Sequence, residues 1–431
     1  MKKRKIIPIV ILLLLISFTA FKYFMPNKVT EVNNNQNIEK DISFDYSTLK
    51  TSNKASLLMN LDTNQVIFNH NMQQSIPVYS VSKTMFLATV SKQLATVNKT
   101  LDTNVKVSKL IDDVNNHSNF SSAGLKSGQQ FTIKELYEAV MMPSGNDASI
   151  LLAEEIFGSQ AAAVNAMNAN AKEWKMTNSS FVSTSGLDGK YIKKVGLEAA
   201  DGKNLMSPYD LVLLVKQIQK NYPEIIEAGN HLETTIGTSN NNPITLHNVN
   251  GIMDGNSSGI KNVFGLKTGS NIEEYSNAIV ALKKDENNNT LLAISLASKS
   301  RVSLYSDIAS MYSYANNLET VNMQDKIQIN SKAGFTTNEV TFTLDKPYYL
   351  YLEKGQDFKF SIEELQHYNK HLNKFYVNKK GEEIGVMSIN DTTQFFDNTP
   401  INNTKVVVAN EVQNKGIFAK AIEFISDIYK K

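Results

Sequence analysis

Three short motifs in this sequence carry groups that can do chemistry together. Ser80-Val81-Ser82-Lys83 sets a hydroxyl and an amine three residues apart, Ser144-Gly145-Asn146 adds a second hydroxyl and an amide, and Lys267-Thr268-Gly269 adds a second amine. A serine hydroxyl is a poor nucleophile until a neighbouring base takes its proton. Residues i and i+3 of a helix share a face, so Lys83 can reach the Ser80 hydroxyl. A lysine serves as base only when burial and nearby positive charge depress its pKa, and Lys267 can supply that charge. At a helix N-terminus, the backbone N–H of Ser80 can point at a developing oxyanion. Ser144 can relay a proton to a leaving amine, and Asn146 can hold a substrate amide. This chemistry is acyl transfer through a serine ester.

Singly, the first two motifs say little, because a lone Ser-x-x-Lys is most often a solvated helix surface. Ser-x-x-Lys recurs at Ser47 and Ser258, and Ser-x-Asn at Ser239 and Ser388. Context separates the copies. Pro77 precedes a helical stretch from Ser80 to about Ala95, so only the Ser80 copy opens a helix. Thr132 and Glu135 form a capping box for a second helix with Leu136, Ala139 and Val140 on one face. That helix stops at Pro143-Ser144-Gly145-Asn146, and a third runs from about Asp147 to Gly158, a natural C-terminal stop. Lys-Thr-Gly occurs once, ahead of a hairpin formed by Asn277–Leu282 and Thr290–Ala297. A further hairpin is expected from Ser56–Met59 and Gln65–Phe68 around Asp62-Thr63-Asn64. An amphipathic helix follows from Val302 to about Leu318. Helices in the middle and strands at both ends suggest an α+β domain with one antiparallel sheet.

In this order and context the motifs resemble those of the low-molecular-mass penicillin-binding proteins, the serine-type D-Ala-D-Ala carboxypeptidases. Leu125 to Gly128, Ser144 to Ala148 and Gly265 to Gly269 extend the likeness, which covers roughly residues 45–431. The resemblance implies a penicillin-binding/β-lactamase-like domain followed by a small β domain. It implies Ser80 as acyl-ester nucleophile, Lys83 as base, Ser144 as proton relay, Lys267 and Thr268 as the substrate-binding strand, and the Ser270 N–H as second oxyanion donor. Arg4 and Arg301 are the only arginines. Arg301 lies between the strand Thr290–Ala297 and the helix starting near Val302, at the edge of the site, where the resembled enzymes bind the substrate's terminal carboxylate. The implied partners are stem peptides ending in D-Ala-D-Ala and β-lactams, with no metal or organic cofactor. A class A β-lactamase also needs a Glu-x-x-Leu-Asn loop for deacylation, and none lies between Asn146 and Lys267. An idle cell-wall binding or adhesion protein is the non-enzymatic alternative.

The rest of the chain bears on location. With 431 residues, 42% apolar and 20% charged, it is long enough for two or three domains and well clear of disorder. A net charge of +2 gives no reason to expect a nucleic-acid partner, and the absence of cysteine removes disulfides and thiolate metal sites. Met1 to Lys5 is basic and the run from Ile6 to Phe21 is apolar, which reads as an export signal. Phe18 sits poorly for cleavage after Ala20, so an uncleaved membrane anchor with its basic end in the cytoplasm is favoured over cleavage. The expected organisation is an anchor and polar stalk over 1–45, a catalytic domain over 46–321, a small β domain over 322–412 and an amphipathic helix over 413–431. In that tail Phe418, Ala421, Ile422, Ile425 and Ile428 share one face, and the catalytic part is expected on the extracytoplasmic side. His367 and His371, spaced i, i+4, are read as solvated surface rather than a metal pair.

Overall fold

The computed structural model describes residues 49–428, except 117–119, 240, 328, 335, 357–359, 364, 367, 370–373, 378, 390–394 and 399–403. The described chain divides into two compact units, 49–319 with 351–354, and 320–350 with 355–428. The N-terminal segment read as signal or anchor lies outside the described residues, as do His367 and His371.

The first unit is built on one antiparallel sheet. Strands β1 (Ala55–Asn60) and β2 (Val66–His70) form the expected N-terminal hairpin. Helices α1 (Lys83–Leu94), α2 (Ile133–Met141), α3 (Asn146–Phe157), α4 (Gln160–Glu173) and the short α5 (Gly189–Lys194) follow. Strands β3 (Val263–Asn271), β4 (Ser276–Lys284) and β5 (Thr290–Ser298) then run as a meander into α6 (Arg301–Asn317). Sheet order is β2-β1-β5-β4-β3, which leaves β3 at an edge. Ala278 to Leu282 and Leu291 to Ile294 are buried without alternation, as expected of strands covered on both faces. Against one face α6 lays Leu304, Ile308, Met311 and Tyr312, which pack with Leu58, Ile279 and Ala293. Fully burying one such side chain contributes roughly 1.5–3 kcal/mol. On the helical side α1 packs among α2, α3 and α4. Lys83 through Val90 are all buried, so the helix that carries the first motif is an interior one.

Local signals act where the sequence places them. Thr132 Oγ1 accepts from Glu135 N at 3.1 Å while Glu135 Oε2 accepts from Thr132 N at 2.8 Å. Gly158 ends α3 at φ 77°, a left-handed conformation that glycine adopts without penalty. Two expectations shift. Ser80 sits in a 3-10 turn, Tyr79–Ser82, ahead of α1 proper. Arg301 is itself the first residue of α6, because Ser300 caps the helix through Ser303 N. Lys267-Thr268-Gly269 precedes the β4–β5 hairpin as expected, and it is itself part of strand β3, paired with Val280, Ile279 and Ala278 of β4.

The second unit holds β6 (Ile329–Lys332), β7 (Glu339–Leu344), β8 (Phe360–Glu363), β9 (Glu383–Ile389), β10 (Lys405–Val408) and α7 (Ile417–Ile428). Its antiparallel sheet runs β6-β7-β10-β9-β8. Strand β7 alternates exposed or half-buried with buried residues, the pattern of a sheet with one covered face. Asp427 of α7 accepts from Tyr376 OH at 2.6 Å, while Ile417 and Ile422 of the same helix are 83% and 69% exposed. No helix among the described residues is long and apolar enough to cross a membrane.

Candidate active site

The turn that presents Ser80 is held from below. Tyr79 adopts φ 49°, a left-handed conformation that a bulky side chain takes only when its surroundings enforce it. Ser82 Oγ donates to Tyr79 O at 2.7 Å, and Asn204 Nδ2 donates to Ser82 Oγ at 2.7 Å. Asn204 also donates to Ser183 O and accepts from Val182 N and Ser183 N. One buried amide thus ties the Ser80 turn to the Ser183–Gly186 loop. Gly186 has φ 85°, and a Cβ there would stand 2.2 Å from Tyr79 O, so only glycine lets that loop come so close.

That loop matters because it supplies an acceptor for Lys83. Lys83 Nζ lies 2.9 Å from Ser80 Oγ, 2.7 Å from Asn146 Oδ1 and 2.5 Å from Ser185 O. A neutral amine has two N–H bonds and one lone pair. Asn146 Oδ1 and Ser185 O take the two N–H bonds, and the lone pair is left facing the Ser80 hydroxyl. The Lys83 side chain is fully buried, and burial first, then the Lys267 charge, push its pKa well down; Asp147 opposes this weakly. Geometry and electrostatics both suit a base.

Ser144 stands in the break between α2 and α3, at φ 64°. Its Oγ is buried and makes no hydrogen bond within the described structure. Leaving a buried hydroxyl unpaired costs about 1–3 kcal/mol, a strain typical of a group that works on something else. Asn146 opens α3 and its Oδ1 is committed to Lys83, so its first task is to hold the base. Asp147, fully buried, accepts from Ser122 Oγ at 2.7 Å and from the N–H groups of Ala123, Gly124 and Leu125. It fixes the loop whose Ser121 carbonyl accepts from Asn146 N at 2.8 Å.

The third motif closes the opposite wall. A Cβ on Gly269 would lie 2.4 Å from Val78 O and 3.0 Å from Ser80 N. Glycine is required here because edge strand β3 presses its backbone onto the Ser80 turn. Lys267 is 1% exposed, donates to Thr268 O at 3.2 Å, and has its pKa lowered to about 7 by burial and then by the Arg301 charge. Ser80, Ser144, Thr268, Ser270 and Arg301 line one cleft, with Tyr305 of α6. Lys83, Asn146 and Lys267 are buried. No acidic side chain lines the cleft among the described residues, and no cluster of His, Asp or Glu there could hold a metal ion. Ser185, Asn204 and Gly186 were not singled out from sequence. The first acts through a carbonyl, which no residue type announces.

A cleft serine with a buried lysine amine 2.9 Å from its hydroxyl thus stands beside an edge strand. Residues 42–300 match the family described as D-alanyl-D-alanine carboxypeptidase. The chain belongs to this family. As a D-alanyl-D-alanine carboxypeptidase it is a serine-type peptidase, a hydrolase of the penicillin-binding class. It is 24% identical over 361 residues to the D-alanyl-D-alanine carboxypeptidase DacF of Bacillus subtilis (strain 168), a match covering 82% of this chain and 86% of that protein. A solved structure of a peptidoglycan synthesis regulatory factor (PBP3) from Streptococcus pneumoniae superposes with a TM-score of 0.69 at 20% identity, covering 85% of this carboxypeptidase and 100% of that chain. The ampicillin-bound form of penicillin-binding protein D2 from Listeria monocytogenes superposes with a TM-score of 0.50 at 21% identity, over 62% of this chain and 98% of that one.

Proposed function

We propose that this carboxypeptidase removes the terminal D-Ala of peptidoglycan stem peptides through an ester on Ser80, and that β-lactams acylate the same oxygen. The observation that carries the reading is the placement of Lys83, with both N–H bonds engaged and its lone pair free for the Ser80 proton. Ser80 Oγ attacks the carbonyl carbon of the penultimate D-Ala while its proton passes to Lys83 Nζ. The backbone N–H groups of Ser80 and Ser270 take the oxyanion. Ser144 Oγ carries the proton from Lys83 to the departing amine, the C–N bond breaks, and D-Ala leaves. Water then adds to the ester by the reverse route, giving its proton to Lys83; the acyl C–Oγ bond breaks, Lys83 returns the proton to Ser80 Oγ, and the shortened peptide leaves. With a β-lactam the ring C–N bond opens, the nitrogen stays attached to the acyl group, and the ester persists.

Thr268 and Lys267 bind the substrate along β3, and Arg301 takes its terminal carboxylate. Guanidinium is planar and always charged, and meets a carboxylate with two parallel hydrogen bonds. A carboxylate arriving beside Arg301 also offsets the charge that holds the Lys267 pKa down. Arg301→Lys is expected to cost about 1.5–3 kcal/mol on free-acid peptides and much less on their C-terminal amides. The check is kcat/KM for both substrates in wild type and variant, and equal losses would remove Arg301 from the site.

The chemistry lies outside the cell, at the wall. There we assign an anchoring role to the N-terminal apolar segment and a membrane-surface role to α7. Exposure of Ile417 and Ile422 supports the latter, whereas the Tyr376–Asp427 contact ties one end of the helix to its β unit. Protein lacking residues 1–25 is expected to bind anionic vesicles through α7, and removal of 413–431 is expected to abolish binding in a flotation assay. Equal binding by both would contradict that role.

A further inference from the structure

In the turn joining β3 to β4, Ile272 and Tyr275 are 87% and 77% exposed. Its two acidic side chains pair with residues of other segments. Glu274 Oε2 accepts from Tyr79 OH at 3.0 Å, and Glu274 Oε1 pairs with Lys203. Glu273 accepts from Tyr191 OH of α5 at 2.6 Å and lies 3.6 Å from Lys190. Tyr79 is the residue immediately before Ser80, with a left-handed backbone, and its ring is buried with its hydroxyl also beside Ser276 of β4.

These contacts place the nucleophile between two restraints. At the backbone, Gly269 of β3 fits against Val78 O and Ser80 N. At the side chain, the phenol of Tyr79 is held by the tip of that same β3–β4 hairpin. The carbonyl of Tyr79 is held from the other side by Ser82. A misplacement of about 1 Å at a reacting atom can cost on the order of a hundredfold in rate, so a side chain that fixes the residue before the nucleophile has direct leverage on it. Glu274 and Lys203 are partly exposed, and neither is among the residues lining the cleft.

We infer that Glu274 is a positioning residue for the reaction, acting through Tyr79 to set Ser80 against the oxyanion side of strand β3. It does so by latching the tip of the β3–β4 hairpin to the nucleophile turn, with Lys203 holding the carboxylate ionised and oriented. The latch is a device of this chain's own side chains, a tyrosine ahead of the serine matched by a glutamate four residues past Ser270. It rests on the assignment of Ser80 as nucleophile.

The test separates the latch from that assignment. Full-length wild type, Ser80→Ala, Tyr79→Phe, Glu274→Gln and the Tyr79→Phe/Glu274→Gln pair are each mixed with a fluorescent penicillin. The acylation rate constant at saturation and the dissociation constant of the complex before acylation are measured separately, together with Tm. The expectation is a loss of about tenfold in the acylation rate constant for each single variant, with the dissociation constant unchanged. Because the two groups act on one another, the double variant is expected to be no slower than the slower single variant. Loss of rate at an unchanged Tm is what a purely structural contact would not give. Glu274→Gln keeps the size of the side chain, so it carries the test even where Tyr79→Phe folds poorly. Labelling of Ser80→Ala would overturn the nucleophile itself. Ser80-dependent labelling at the wild-type rate in Glu274→Gln would overturn the latch alone. So would single effects that multiply in the double variant, a rate loss that follows a lowered Tm, or a loss confined to the dissociation constant, which would make Glu274 a substrate contact.

Discussion

Replacing Ser80 by alanine is expected to abolish hydrolysis of D-Ala-D-Ala peptides and covalent labelling by penicillin, while leaving the fold unchanged. In the proposed mechanism this hydroxyl forms the ester, and the Lys83 amine lies 2.9 Å from it. Ser144 Oγ makes no hydrogen bond within the described structure, so nothing there is set to activate it. The loss should be on the order of 10⁶-fold, as when other serine hydrolases lose their nucleophile. Stability should hardly move. The Ser80 side chain bonds to Lys83, and Lys83 keeps Asn146 Oδ1 and Ser185 O without it. Peptide hydrolysis, penicillin labelling and thermal melting of the variant check all three statements.

Lys83→Ala is expected to reduce acylation by more than the roughly 10²–10⁴-fold typical of losing a general base. In the proposed mechanism Lys83 takes the proton; it also joins three segments at one nitrogen, so its loss frees the Ser80 rotamer as well. Lys83→Arg should not rescue, since guanidinium stays protonated and offers no lone pair. Ser144→Ala should be milder, because a water can stand in for a relay. The ranking is checked by acylation rates of the three variants, and a Ser144→Ala slower than Lys83→Ala would contradict it. The direction with pH follows from the same lysine. Its pKa is held well below the ordinary value by burial and the Lys267 charge. Acylation should therefore rise as pH increases through that depressed pKa, where the amine becomes neutral. In Lys267→Met, with the neighbouring charge gone, the rise should move to higher pH.

Much of this site is legible in the sequence because its parts are local. The capping box at Thr132 and Glu135 and the left-handed stop at Gly158 bracket α2 and α3, and the break between them holds Ser144. The two hairpins follow from alternation of strand-forming runs and Asn-rich turns, and they give the α+β fold with its antiparallel sheet. The strand character of Lys267-Thr268-Gly269 is harder to see. Gly265, Gly269 and Ser270 have low strand preference, and what makes them a strand is pairing with β4, a tertiary effect. The glycine that reads as a motif letter is in fact a steric requirement set by the Ser80 turn. The contact between Asn146 and Lys83 has no local signal, because the two lie 63 positions apart. Asn204 and the Ser185 carbonyl carry no local signature at all. They act by satisfying hydrogen bonds among segments far apart in the chain, and such pairings are fixed only once the helices and the sheet have packed.

The most direct test of the account is intact-protein mass spectrometry after exposure to a penicillin, followed by mapping of the adduct. The account predicts a gain equal to the mass of one whole penicillin molecule, since the opened ring loses no atom, with the label on the peptide containing Ser80 and absent in Ser80→Ala. A label on a peptide carrying Ser144 or any other residue, or an unmodified wild-type protein under conditions where its peptidase activity is lost, would contradict it.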